Sequence, residues 1–182
     1  MQKLIAHLLL IVMLAPGCAA SAEAPAQSLP EWFLAHIEFL TQGRWVTDNS
    51  PHKSEDEPFD AYGMEYEEGL GGKSVRGRLF GLVNGKEVAT FWEFHTVWHP
   101  GKNRVIAYQF GSDGTFAEGP LVATGKHTQR MEQVFYRPDG QSWKSGHETE
   151  EAADGTFITQ SFDIGDDGAW HKGRLYIWRL QK

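Results

Sequence analysis

The chain is predicted to be all-β: a single antiparallel up-and-down barrel of about ten strands, preceded by one short helix. Three observations predict it. Five Asx-Gly dipeptides punctuate the sequence: Asn84-Gly85, Asp113-Gly114, Asp139-Gly140, Asp154-Gly155 and Asp167-Gly168. With Gly71-Gly72, Pro100-Gly101 and Gly125 between them, a reversal signal recurs roughly every 11 to 16 residues, the spacing of hairpin loops. Between the signals, several segments alternate with period two. Aromatics make up 13% of the residues, more than a strand core of this size needs, and the excess suits the lining of a cavity. A meander of this length removes its unpaired edges by closing on itself.

Residues 1–22 read as a secretory leader. Lys3 is followed by an apolar run from Leu4 to Leu14, broken by His7, and then by small residues from Gly17 to Ala22. The run is too short to span a bilayer as a helix. Two processing outcomes stay open. Leu14-Ala15-Pro16-Gly17-Cys18 resembles a bacterial lipobox, which would lipidate Cys18; Ala20-Ser21-Ala22 fits ordinary cleavage of the A-x-A type. The expected location is the periplasm, either free or anchored to the cell envelope through Cys18. Cys18 is the sole cysteine, so no intramolecular disulfide is available.

Residues 23–27 form a linker, and 28–182 a single barrel domain. Ser28, Pro30 and Glu31 predict a capping box at the start of a helix. Leu29, Phe33, Ile37 and Leu40 recur at helical spacing to Gln42-Gly43, giving a stripe that would plug one barrel end or pack outside. Strands are expected over 43–48, 59–68, 73–83, 86–98, 103–111, 115–124, 126–137, 141–151, 155–163 and 169–180. The polar, acidic stretch from Asn49 to Pro58 is a candidate lid at a barrel mouth.

Alternation groups the side chains by face without saying which face is inside. Tyr62, Met64 and Tyr66 share one face of their strand. Thr90, Trp92, Phe94, Thr96 and Trp98 oppose Phe91, Glu93, His95 and Val97. Trp170, Lys172, Arg174, Tyr176 and Trp178 oppose His171, Gly173, Leu175 and Ile177.

The formal charge is −7, with no basic cluster, which argues against nucleic acid and anionic membrane surfaces as partners. The expected partner is a small apolar molecule, with the membrane reached only through a lipid on Cys18. The protein is expected to be a monomer or homodimer.

Gly43-Arg44-Trp45, Tyr66 with Gly69-Leu70-Gly71-Gly72-Lys73, and Phe110-Gly111-Ser112-Asp113-Gly114 with Glu118-Gly119 together resemble the lipocalin-like barrels of exported bacterial proteins of unknown function. The likeness runs from about Leu40 to Trp178. It implies a calycin-type barrel and a small hydrophobic ligand, and it carries no catalytic residues. The haem-binding barrels related to nitrobindin also open on Gly-x-Trp, but here Val46-Thr47-Asp48-Asn49-Ser50-Pro51 replaces their glycine-rich stretch. No cofactor and no metal are expected.

Trp45, Tyr66, Trp92 and Tyr108 are candidate ligand-binding walls, joined by Arg78 and Glu118 as candidate polar groups; Phe110 and Trp178 are further aromatic candidates. Arg76 and Arg78 share a face, and an inward pair would hold a carboxylate or phosphate head group; an outward pair would be solvated charge. Glu118 would be a buried partner for one of these arginines or a brace for its turn. Glu93 and His95, about 7 Å apart on one strand face, are the candidate catalytic pair for acid–base chemistry; the alternative is a wet polar pair. His127 and His147 would complete a metal site only if they met Glu93 and His95 across the lumen. No nucleophile elbow, phosphate loop or calcium loop is present, and Asp163 to Gly168 reads as a hairpin turn.

Three functions follow as expectations. The first is an exported barrel that buries a small apolar ligand. The second is an isomerase or hydrolase using Glu93 and His95. The third is a non-catalytic envelope interaction module with an apolar patch outside the barrel.

Overall fold

A computed structural model of the chain describes residues 28–181; the leader, its cleavage sites and Cys18 lie outside the described residues. Helix α1 (Glu31–Leu40) precedes ten strands: β1 (Arg44–Asp48), β2 (Ala61–Glu68), β3 (Ser74–Val83), β4 (Lys86–His99), β5 (Arg104–Gly111), β6 (Phe116–Ala123), β7 (Thr128–Tyr136), β8 (Ser142–Glu151), β9 (Phe157–Ile164) and β10 (Trp170–Gln181). Every strand pairs antiparallel with its sequence neighbours, and β1 also pairs with β10 through Trp45 and Leu180, which closes the barrel. The all-β, ten-stranded, single-helix prediction therefore holds, with strand ends displaced by two residues at most.

The Asx-Gly loops account for this regularity. Four of them share one bonding pattern, seen in Gly111–Thr115, Arg137–Gln141, Ala152–Thr156 and Gly165–Ala169. In each, the first residue's N–H donates to the fifth residue's carbonyl at 2.7–3.0 Å, and the glycine N–H donates back to the first carbonyl. The Asp Oδ1 accepts from the fifth N–H at 2.9–3.0 Å. The glycines sit at φ from +80° to +86°, where a Cβ would be strained. Asn84-Gly85 differs: both residues have positive φ, as a two-residue hairpin loop requires.

Helix α1 stops up one end of the barrel. Phe33, Ile37 and Leu40 are buried against Trp45, Met64, Val75, Val105, Leu121, Phe157 and Trp178, each burial worth about 2 kcal/mol. Trp45 Nε1 donates to the Leu40 carbonyl at 2.9 Å, tying the helix end to β1. The expected capping box does not form. Pro30, extended at φ −60° and ψ 134°, is itself the N-cap with no side-chain capping bond; Ser28 lies two residues further out, beyond reach.

Bulges break the expected alternation in two strands, β4 and β10. Leu79 pairs with Trp92 but Phe80 pairs with Thr90, so Phe91 is an extra residue in β4. Thr90 consequently falls on the outer face, while Phe91 and Trp92 both reach the lumen. In β10 the register breaks between Lys172 and Leu175. Trp170 packs outside on Phe162, whereas Tyr176 and Trp178 line the lumen. A bulge inserts one residue and so shifts every face beyond it.

Candidate functional site

Between the α1 floor and the opposite mouth lies a cavity of about 680 Å³. Its wall is largely aromatic and aliphatic. Tyr62, Met64 and Tyr66 come from β2, Leu79 from β3, and Phe91, Trp92 and Phe94 from β4. Leu121, Met131, Phe135, Phe157, Tyr176 and Trp178 complete the circuit from β6, β7, β9 and β10. Register puts them there: Met64 faces Leu79, Leu79 faces Trp92, and Met131 faces His147 across adjacent strands. Tyr66 lies over Gly77, where an added Cβ would come 2.3 Å from the ring.

The polar groups of the wall are few, and most are already bonded. Gln109 Nε2 donates to Gln133 Oε1, and Gln133 Nε2 donates to the Ala107 carbonyl at 3.2 Å. Thr149 donates to Gln129 Oε1 at 2.8 Å, and Gln129 Nε2 donates to Glu151. Glu151 in turn holds His36 Nδ1 of α1 at 2.7 Å, so this chain of bonds runs from the lumen to the plugging helix. Trp178 Nε1 donates to Thr159. Tyr66 donates to the Met64 sulfur at 3.2 Å, and burial pushes its phenol above the ordinary range.

His147 is one that is not. It lines the cavity, its Nδ1 is buried with no hydrogen-bond partner, and burial lowers its pKa to about 4. The imidazole is therefore neutral at pH 7.

At the mouth, the segment between β1 and β2 contributes Ser54, Asp56, Glu57 and Phe59 to the rim. Glu57 pairs with Arg174 through two contacts of 2.5 and 3.1 Å and accepts from the Tyr62 hydroxyl at 2.6 Å. These bonds, the Arg174 one foremost, hold the Glu57 pKa down at about 2. The stretch expected to act as a lid thus contributes to the rim and is tied to β10 through Glu57 and Arg174.

The candidate ligand-binding residues divide by face. Tyr66 and Trp92 line the cavity. Trp45 is wholly buried in the floor beside α1. Tyr108 borders the cavity, but its ring stacks on Phe116, which continues to Tyr136 on the outer face. Glu118 pairs with Tyr108 and Val134 on that outer face.

Arg78 is also outside. It pairs with Glu65 at 2.7 Å and with Glu87, and its guanidinium lies 4.5 Å from the Phe80 ring centre. Its fork is saturated by carboxylates of this chain, so it does not serve a head group in the lumen.

The candidate catalytic pair lies outside as well. Glu93 is opposite Arg78 and Phe110, and His95 is opposite Arg76 and Tyr108. Both line an open outer groove with Arg44, Glu65, Arg76 and Arg78. They cannot meet His147 across the lumen, and His127 is exposed beside Glu151. Among the described residues, no three His, Cys, Asp or Glu side chains group to hold a metal ion.

Sequence reasoning missed Glu57, Phe91, Phe157 and Tyr176, and it weighed His147 only as a metal ligand. The alternation of β8 did place His147 with Thr149 on one face, and that was the available signal. Compared with known proteins, the chain matches no family model and no curated sequence.

Proposed function

We propose that the protein is an exported, lipocalin-like barrel that holds a small, largely apolar molecule in its lumen. The observation that carries this reading is the cavity of about 680 Å³, walled by aromatic rings and closed at one end by α1. That volume lies within the range of roughly 300–1,000 Å³ common for small-molecule sites. Export and a periplasmic or lipid-anchored location rest on the leader sequence. Burial against rigid rings supplies the affinity, and a small number of polar groups orient the ligand.

Native mass spectrometry of protein recovered from the envelope fraction of an exporting host tests the reading. A retained small molecule is expected, and its loss is expected in Ala107→Phe, because Ala107 is buried and lines the lumen. Equal retention by wild type and Ala107→Phe would sink it.

The exposed outer face of β5–β7 favours a second reading, an envelope interaction module. Phe110 and Tyr136 are 46% and 43% exposed and flank the Tyr108–Phe116 stack. Sedimentation of wild type against Phe110→Ser/Tyr136→Ser tests it: self-association lost in the double variant would support it.

A further inference from the structure

The connections at the two ends of the barrel differ in charge. In an up-and-down barrel successive connections alternate between the ends, so the five at the mouth are residues 49–60, 84–85, 112–115, 137–141 and 165–169. They carry eight aspartates and glutamates against two cations, Lys53 and Arg137. The four connections at the α1 end carry Lys73, Lys102 and Lys126 against Asp154. Arg174 of β10 adds one more cation to the mouth by pairing with Glu57, and the mouth remains strongly negative.

Inside, no group compensates an incoming anion. Among the described residues, no lysine or arginine lines the cavity. Of the two histidines that do, His147 is neutral at pH 7 and His36 is bonded to Glu151 at 2.7 Å. The rings of the wall carry partial negative charge on their faces. A carboxylate entering this lumen would cross a negative rim, shed its water and find no counter-charge. A cation of the same size meets the opposite sign at the rim and ring faces suited to it.

From these observations we infer that the lumen selects its ligand by the sign of charge: it takes uncharged and cationic apolar molecules and rejects carboxylates, sulfates and phosphates of the same shape. The inference rests on the lumen-binding reading above and restricts it to ligands that carry no negative charge.

Three probes of one size test it by calorimetry: 2-naphthamide, 2-naphthylmethylammonium and 2-naphthoate. 2-Naphthoate should bind at least about 100-fold more weakly than 2-naphthamide, and at least about 10-fold more weakly than the ammonium. The rim acts on arrival. Association of 2-naphthoate, followed by stopped flow, should therefore quicken as salt rises from about 0.01 M to about 0.3 M, while that of 2-naphthamide does not change. Glu55→Lys/Asp166→Lys reverses two exposed mouth carboxylates. At low salt it should speed association of 2-naphthoate about 3- to 10-fold and leave that of 2-naphthamide unaltered.

2-Naphthoate binding as tightly as 2-naphthamide would overturn the inference, and so would equal affinities for the two ions. Either result would leave the lumen as a binding site. Association of 2-naphthoate that responds neither to salt nor to Glu55→Lys/Asp166→Lys would overturn the part assigned to the rim. Binding of none of the three would overturn the lumen-binding reading itself, and this inference with it.

Discussion

Glu57 and Arg174 stand 117 residues apart in the chain and meet at the barrel mouth in a two-contact ion pair of 2.5 and 3.1 Å. Asn49 approaches the same guanidinium at 3.4 Å, and Tyr62 donates to the same carboxylate. One charged pair thus joins the segment between β1 and β2 to the bulge of β10. A ligand passing this mouth must move that segment or pass beside it.

Glu57→Gln keeps the side chain's shape and removes its charge. Association and dissociation of a lumen-bound probe should both accelerate, by about 3- to 10-fold, with Kd nearly unchanged. Stopped-flow measurement of both rates checks this; rates equal to those of the wild type would show that the pair does not gate access.

Acid should weaken the fold in two separate windows. The His147 pKa falls from 6.5 to about 4 on folding, so the unfolded chain binds the extra proton between those values. Its contribution is therefore complete above pH 6.5 and is lost as pH falls toward 4, a difference of up to about 3 kcal/mol by linkage. Glu57 is depressed from 4.5 to about 2. Its contribution is present above pH 4.5 and is lost as pH falls through 2, at about 1–2 kcal/mol once solvent screening is allowed for. Urea unfolding across pH should show the upper window flattened in His147→Phe and the lower one flattened in Glu57→Gln. An unaltered pH profile in either variant would falsify the corresponding assignment.

Gly119 permits β6 and β7 to approach closely. An added Cβ would lie 1.8 Å from the Glu132 carbonyl oxygen and 2.8 Å from the Gln133 Cα, both of them backbone atoms. Gly119→Ala should lower unfolding stability by about 2–3 kcal/mol and disturb the neighbouring Gln109–Gln133 bond. Gly140→Ala serves as a control of the opposite kind: its Cβ meets open space, and its cost is the φ of +86° alone. Chemical denaturation of both variants checks the order, with the larger loss expected at Gly119.

Much of the fold was legible because its signals are local. An Asx-Gly pair sets its own turn through its own dihedrals and an Asp side chain that reaches only two residues on. Asp113, Asp139, Asp154 and Asp167 all do this, so strand boundaries could be read between them. The helical stripe of Phe33, Ile37 and Leu40 was legible in the same way. The capping box was misplaced because Pro30 set the helix start at Glu31.

The site was less legible because inside and outside belong to closure. Arg78, Glu93, His95 and Glu118 have the residue types of a binding or catalytic group, yet all four stand on the outer face. Phe91 is luminal because of a bulge, and a bulge depends on the partner strand as much as on its own sequence.

The sequence by itself determined the number of strands and their order, since turn chemistry acts over a few neighbours, and it grouped residues by face only as far as the bulges in β4 and β10. Only the tertiary structure decided which face encloses the cavity, that Glu57 meets Arg174, and that the Nδ1 of His147 is buried without a hydrogen-bond partner. Those outcomes follow from ring closure and register, which bring together residues that no local spacing relates.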